Sequence, residues 1–187
     1  MLRNGPRACS VRRINDMRIA EIEQTADSLL QHVEIQRIPI PIEDVADALK
    51  IKIGRAPSKD FSGLLLRKDG AALIGINSDE HPRRQRFTIA HELGHFFLHQ
   101  SNEAFVDYRR DGKKHPRTQK EREADAFAAS LLMPRQTLRK DFSKIAADSF
   151  FDEEQLQSTV TFLADKYEVS EEAMRIRLMT LGMLGHV

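Results

Sequence analysis

The segment His91-Glu92-Leu93-Gly94-His95 most constrains what this chain can fold into. Its flanks, Phe87-Thr88-Ile89-Ala90 before and Phe96-Phe97-Leu98 after, make residues 83–99 an apolar-rich helix. A helix turns about 100° per residue, so histidines four positions apart lie one turn apart on nearly the same face. At that separation two imidazole nitrogens can reach one metal ion at about 2.0–2.1 Å. Glu92 falls on the flank of this face, where a carboxylate holds the metal's water instead of filling a ligand position. Gly94 costs about 1 kcal/mol inside a helix and fits a site where another backbone passes close. The alternative is a core helix with two hydrogen-bonded histidines.

Catalytic zinc usually has three protein ligands and one open position. The metzincin continuation, glycine three and histidine six residues beyond the second histidine, is absent, since Leu98 and Ser101 stand there. This points to a carboxylate from a second helix. Residues 118–133 are the best candidate: Thr118 and Glu121 fit a capping box, and Pro134 closes the far end. The apolar stripe is Ala124, Phe127, Ala128, Leu131 and Leu132. Glu121 projects about 50° from its centre, Glu123 and Asp125 about 90–110° to either side. An acid on the inward face must be paired or liganded, which makes Glu121 the candidate third ligand. Asp125 is the candidate acceptor for the outer nitrogen of a liganding histidine. The alternative stays open that Glu121 is only a capping-box partner and Glu123 the ligand.

The run Arg86-Phe-Thr-Ile-Ala-His-Glu-Leu-Gly-His-Phe-Phe-Leu-His99, followed by Glu121-Arg-Glu-Ala-Asp-Ala-Phe-Ala-Ala-Ser-Leu-Leu-Met-Pro134, resembles the ImmA/IrrE family of metallopeptidases. Leu163 to Gly182 is similar to that family's C-terminal end, so the resemblance spans about residues 18–184. It implies a zinc-dependent endopeptidase with His91, His95 and Glu121 as Zn2+ ligands and Glu92 as catalytic base. It also implies a protein substrate, a helix-turn-helix repressor in mobile-element or stress regulation, carried on a separate chain. The family tends to have histidine at the position of His99, whose role the sequence leaves open. The expected fold is α+β and zincin-like: a small, mostly antiparallel sheet packed on the active-site helices, with a C-terminal helical hairpin.

The chain has 187 residues, 41% hydrophobic and 30% charged, enough for one domain with an adequate core. A net charge of +1 gives no overall pull toward nucleic acid or membrane. The single Cys9 excludes an internal disulfide and fits a reducing cytoplasm. No run approaches the apolar length of a membrane span. Residues 1–16 read as a disordered basic tail, 17–150 as the metallopeptidase core and 151–187 as the hairpin packed on it. Within the core, helical spacing over Met17–Val33 is followed by Pro39 and Pro41 and a short helix from Ile42 to Leu49.

Strands are expected at 51–53, 61–67 and 71–76, with Lys68-Asp69-Gly70 as a hairpin turn. An extended substrate can pair with an exposed sheet edge, and Gly63 is a candidate for a close backbone approach; the alternative is a purely structural hairpin. Residues 109–120 hold six Lys/Arg against Asp111 and read as a solvated loop, or alternatively as a surface for an acidic segment. Tyr108, His115 and nearby arginines are unranked candidates for oxyanion stabilisation. Thr159–Tyr167 and Glu171–Leu184, with Ser170 as N-cap, have the outline of a DNA-binding helix pair. Glu171 and Glu172 stand where base contacts would be, and Ala173, Ile176, Met179 and Leu184 read as packing positions, which favours a structural hairpin. The rival functions are therefore a non-cleaving binding module and a DNA-binding regulator acting through that pair.

Overall fold

A computed structural model of the chain describes residues 6–99, 105–108, 118–146 and 153–184, with backbone alone for 6–17, 105–108 and Ala146. The helices are α1 (Pro6–His32), α2 (Ile42–Ala48), α3 (Pro82–Leu98), α4 (Gln119–Leu132), α5 (Arg135–Ala146), α6 (Glu153–Tyr167) and α7 (Glu171–Thr180). The strands are β1 (Lys52–Ala56), β2 (Phe61–Lys68), β3 (Ala71–Asn77) and β4 (Phe105–Tyr108), in the order β1-β3-β2-β4. Only the β1–β3 pair is parallel. The class is the expected α+β. The first helix begins at Pro6, inside the stretch assigned from sequence to a basic tail; Met1–Gly5 lie outside the described residues. Among the described residues no helix is long and apolar enough to cross a membrane.

The hairpin forms where expected because Asp69 (φ 51°) and Gly70 (φ 77°) both take left-handed backbone, as a two-residue type I′ turn requires, with Lys68 opposite Ala71. Alternate residues of β2 then track α3. Gly63 lies against Thr88 and Glu92, Leu65 is fully buried, and Arg67 donates to the carbonyls of His95, Phe96 and His99 at 2.8–2.9 Å. This guanidinium caps the C-terminal carbonyls of the helix, sharing that of His95 with the His99 N–H, and sits at the negative end of the helix dipole. At the other end Pro82 opens α3, and Nδ1 of the N-cap His81 accepts from Arg83 N at 3.2 Å.

Two elements were not anticipated. Strand β4 has four residues, too few for a periodic signal, and pairs with β2 at the sheet edge. Helix α5 follows Pro134 directly: Met133 breaks from helical geometry (φ −128°, ψ 70°), and a new helix starts on Leu138, Phe142 and Ile145. One packing expectation is overturned. Ile176 is 57% exposed, because α7 turns Met174, Arg177 and Leu178 inward, a face rotated from the one containing Ile176. Arg177 donates to Glu23 on α1 at 2.7 Å and to the Met133 carbonyl at 3.2 Å.

Two glycines set how closely α3 is held. A Cβ on Gly94 would lie 3.0 Å from Ala124 Cα and 3.1 Å from Ala124 O, so this is the expected close passage of another backbone. Phe97 stacks on Phe127 beside it, centroids 5.8 Å apart. On the opposite side a Cβ on Gly63 would fall 2.3 Å from Thr88 Cγ2 and 2.8 Å from Glu92 Oε1. The close approach at Gly63 is therefore made by α3. Gly63→Ala should destabilise the fold by about 1–3 kcal/mol through overpacking, read as a lower denaturant midpoint with an unchanged slope; an unchanged midpoint would mean the clearance is not tight.

Asp141 on α5 accepts from Tyr167 Oη at 2.9 Å and Lys166 Nζ at 2.7 Å on α6. Burial works to raise the Asp141 carboxyl, but Lys166 and Tyr167 hold it below the ordinary carboxylate range. A carboxyl whose pKa is lower folded than unfolded stabilises above the unfolded value, about 3.9, and loses that contribution as pH falls through the folded value. Thermal unfolding followed from about pH 6 to pH 2 should therefore show a steeper acid loss in wild type than in Asp141→Asn. Parallel curves would remove Asp141 as a source of acid sensitivity.

Candidate metal centre

The helix geometry that puts His91 and His95 one turn apart turns both rings inward, 4% and 1% exposed. Their Nε2 atoms stand 3.1 Å apart. Glu121, in the first turn of α4, brings Oε2 to 3.3 Å from His91 Nε2 and Oε1 to 3.3 Å from His95 Nε2. Thr118 forms its half of the capping bond, accepting from Glu121 N at 3.2 Å, while the Glu121 carboxylate turns to the histidines. Tetrahedral ligands at about 2.0–2.1 Å from zinc are themselves about 3.3–3.4 Å apart. The three spacings thus suit a small divalent ion, and His91, His95 and Glu121 can hold one.

The remaining acids divide by direction. Asp125 Oδ1 lies 3.0 Å from His91 Nδ1, the outer ring nitrogen, as the second-helix argument anticipated. Glu123 faces elsewhere, 3.2 Å from His99 Nε2 and 3.0 Å from Arg18. Glu92 is fully buried between α3 and the Gly63 backbone. Tyr108 and Cys9 have no described side chain, and His115, with residues 109–117 of the basic loop, lies outside the described residues.

The electrostatics favour a cation. Burial works to lower the pKa of His91, but hydrogen bonds to Asp125 and Glu121, together with the charge of Glu92, outweigh it and raise the ring to about 10. Hydrogen bonds from His91 and His95 hold the Glu121 carboxyl far below its ordinary value, against the effect of burial. Burial pushes His99 down, opposed in part by its bond to Glu123. Burial would raise Glu123, but Arg18, Gln119 and His99 hold it well below the usual range.

Sequence reasoning missed two features. His99 carried a signal, standing one turn beyond His95, but Arg18 is 105 positions from Glu123 and nothing local connects them. A cavity of about 580 Å³ also opens beside Asp125, walled by Phe87, Ala129, Ala173 and Ile176 with Arg84 and Glu172. Three helices build that wall, and each contributes residues ordinary for a helix surface.

Comparison with known proteins adds a family to this geometry. The family model described as the IrrE N-terminal-like domain matches residues 46–179, more than half of the chain and inclusive of α3 and α4. The metallopeptidase ImmA of Bacillus subtilis (strain 168) is 28% identical over 117 residues, covering 59% of this chain and 68% of that protein. With both motif helices inside the match, the chain belongs to the ImmA/IrrE family of metallopeptidases.

Proposed function

We propose that this protein is a zinc-dependent endopeptidase that cuts a protein substrate, with His91, His95 and Glu121 as the ligands and Glu92 as the catalytic base. The observation that carries the reading is the convergence of two imidazole nitrogens and one carboxylate at 3.1–3.3 Å. A divalent ion held by these donors supplies Lewis acidity, acidifying a water and polarising a peptide carbonyl. Asp125 keeps a proton of His91 on Nδ1, so Nε2 is the nitrogen presented to the ion. Glu92, walled off from solvent by β2, takes the proton of the attacking water and returns it to the leaving amine.

The substrate is a helix-turn-helix repressor on a separate chain, in the cytoplasm, a reading supported by the family resemblance. The outer edge of β4, unpaired among the described residues and next to the strand that packs on Glu92, offers main-chain groups to an extended peptide. Residues 17–150 form the catalytic core and 151–187 the hairpin packed on it; Arg83 of α3 bonding Asp165 and the Val169 carbonyl supports that packing. The inward turn of Arg177 on α7 supports leaving DNA binding out of the function.

Zinc content by elemental analysis tests the site. Wild type should carry near-stoichiometric zinc and His95→Ala and Glu121→Ala should lose it. Glu92→Gln should keep the zinc and lower hydrolysis of any protein the wild type cuts by about 10²–10⁴-fold. A wild type without metal after purification in zinc would leave a binding module as the better reading, and an active, zinc-loaded Glu92→Gln would remove Glu92 as the base.

A further inference from the structure

The donor cluster is one end of a longer polar chain. His95 Nδ1, the ring nitrogen turned away from Glu121, lies 2.9 Å from His99 Nδ1. His99 Nε2 lies 3.2 Å from Glu123 Oε2, and the same oxygen lies 3.0 Å from the Arg18 guanidinium on α1. Gln119 Nε2 donates to the other Glu123 oxygen at 3.0 Å. His99 is 7% exposed and the Glu123 side chain 12%, so the chain is buried up to Arg18, whose side chain is 38% exposed.

Hydrogen bonding fixes the protons of this chain in sequence from its Arg18 end. An arginine only donates, and an ionised carboxylate only accepts. Arg18 and Gln119 both donate to Glu123, so its partner His99 must present a proton on Nε2. A neutral imidazole has one N–H, which leaves His99 Nδ1 as an acceptor. The proton shared across the 2.9 Å contact therefore belongs to His95 Nδ1. His95 Nε2, 3.3 Å from Glu121 and 3.1 Å from His91, is then the nitrogen turned to the donor cluster, where a metal ion can take the place of a proton shared with Glu121. Moving the proton off His95 Nδ1 would put two bare nitrogens face to face in a buried contact.

We propose that Arg18, Glu123 and His99 form a positioning relay that fixes His95 in the Nδ1–H tautomer, the form whose Nε2 can bind a metal ion. The proposal rests on the ligand assignment above and goes beyond it. It gives His99 and Glu123 defined work at the site, and it brings in α1, which lies outside the family match. The relay is the counterpart of Asp125 behind His91, lengthened by one imidazole, so each histidine of the pair is oriented from its outer side by an acid of α4.

The test is zinc affinity of the full chain, measured by competition with a chromophoric chelator. His99→Leu, which fills the space but cannot accept, should bind zinc about 10–100-fold more weakly. His99→Gln, whose amide oxygen can accept from His95 Nδ1–H, should recover most of the loss. Wild-type affinity in His99→Leu overturns the relay, and so does an equal loss in both variants, since packing alone would then account for it. Nitrogen NMR of the wild-type imidazoles reads the protons directly and needs no variant to fold. His99 should carry its proton on Nε2 and His95 on Nδ1, and a His99 protonated on Nδ1 alone overturns the proposal. If the wild type takes up no zinc, the ligand assignment is what fails, and the tautomer of His99 in the metal-free chain still decides the relay.

Discussion

The close crossing of α3 and α4 at Gly94 is the constraint on which the candidate site depends. Ala124 comes so near that a methyl group at position 94 would meet its backbone at 3.0–3.1 Å. Side chains one turn from a tight crossing converge, which is how Glu121 and Asp125 reach the two rings of a neighbouring helix. A wider crossing would leave those acids in water, where their pairing with buried imidazoles would be worth little. The helix propensity given up at Gly94, about 1 kcal/mol, is thus exchanged for the placement of a donor set.

That placement concentrates negative charge around two buried rings. Glu92, Glu121 and Asp125 all act on His91, whose preference for a positive charge follows from them. Such a cluster is costly without a cation at its centre, and the same property that would strain a simple core makes these helices able to hold one. The fold offsets the strain from outside, where Arg18 answers Glu123 and Arg67 answers the C-terminal carbonyls of α3.

Much of this was legible because it is local. The four-residue spacing of His91 and His95, the amphipathic face that singled out Glu121, and the turn chemistry of Asp69-Gly70 depend on helix and hairpin geometry, which a sequence displays directly. Asp125 follows from Glu121 by one more turn. The unreadable parts are those in which a residue's role is fixed by a distant element. Nothing near Arg18 announces Glu123, and Arg67 reads as a strand charge until α3 ends beside it. Pro134 was read as a stop and proved to be a junction, with one helix ending at Leu132 and the next starting at Arg135. Ile176 shows the same limit on a smaller scale, since periodicity reveals that a helix has a buried face but fixes its direction only to within a residue or so.

A helix lying on a sheet can lift away, slide along its axis or roll. Around α3 each freedom meets a different obstacle. The missing side chain at Gly63 sets the closest separation, because Thr88 and Glu92 already touch the strand. The three carbonyls gripped by Arg67 resist sliding, since a shift of one residue would offer that fork a different set. Rolling would drive Gly94 against Ala124. The stretch of α3 that carries Glu92 is therefore held by backbone contacts on two sides, from β2 at Gly63 and from α4 at Gly94.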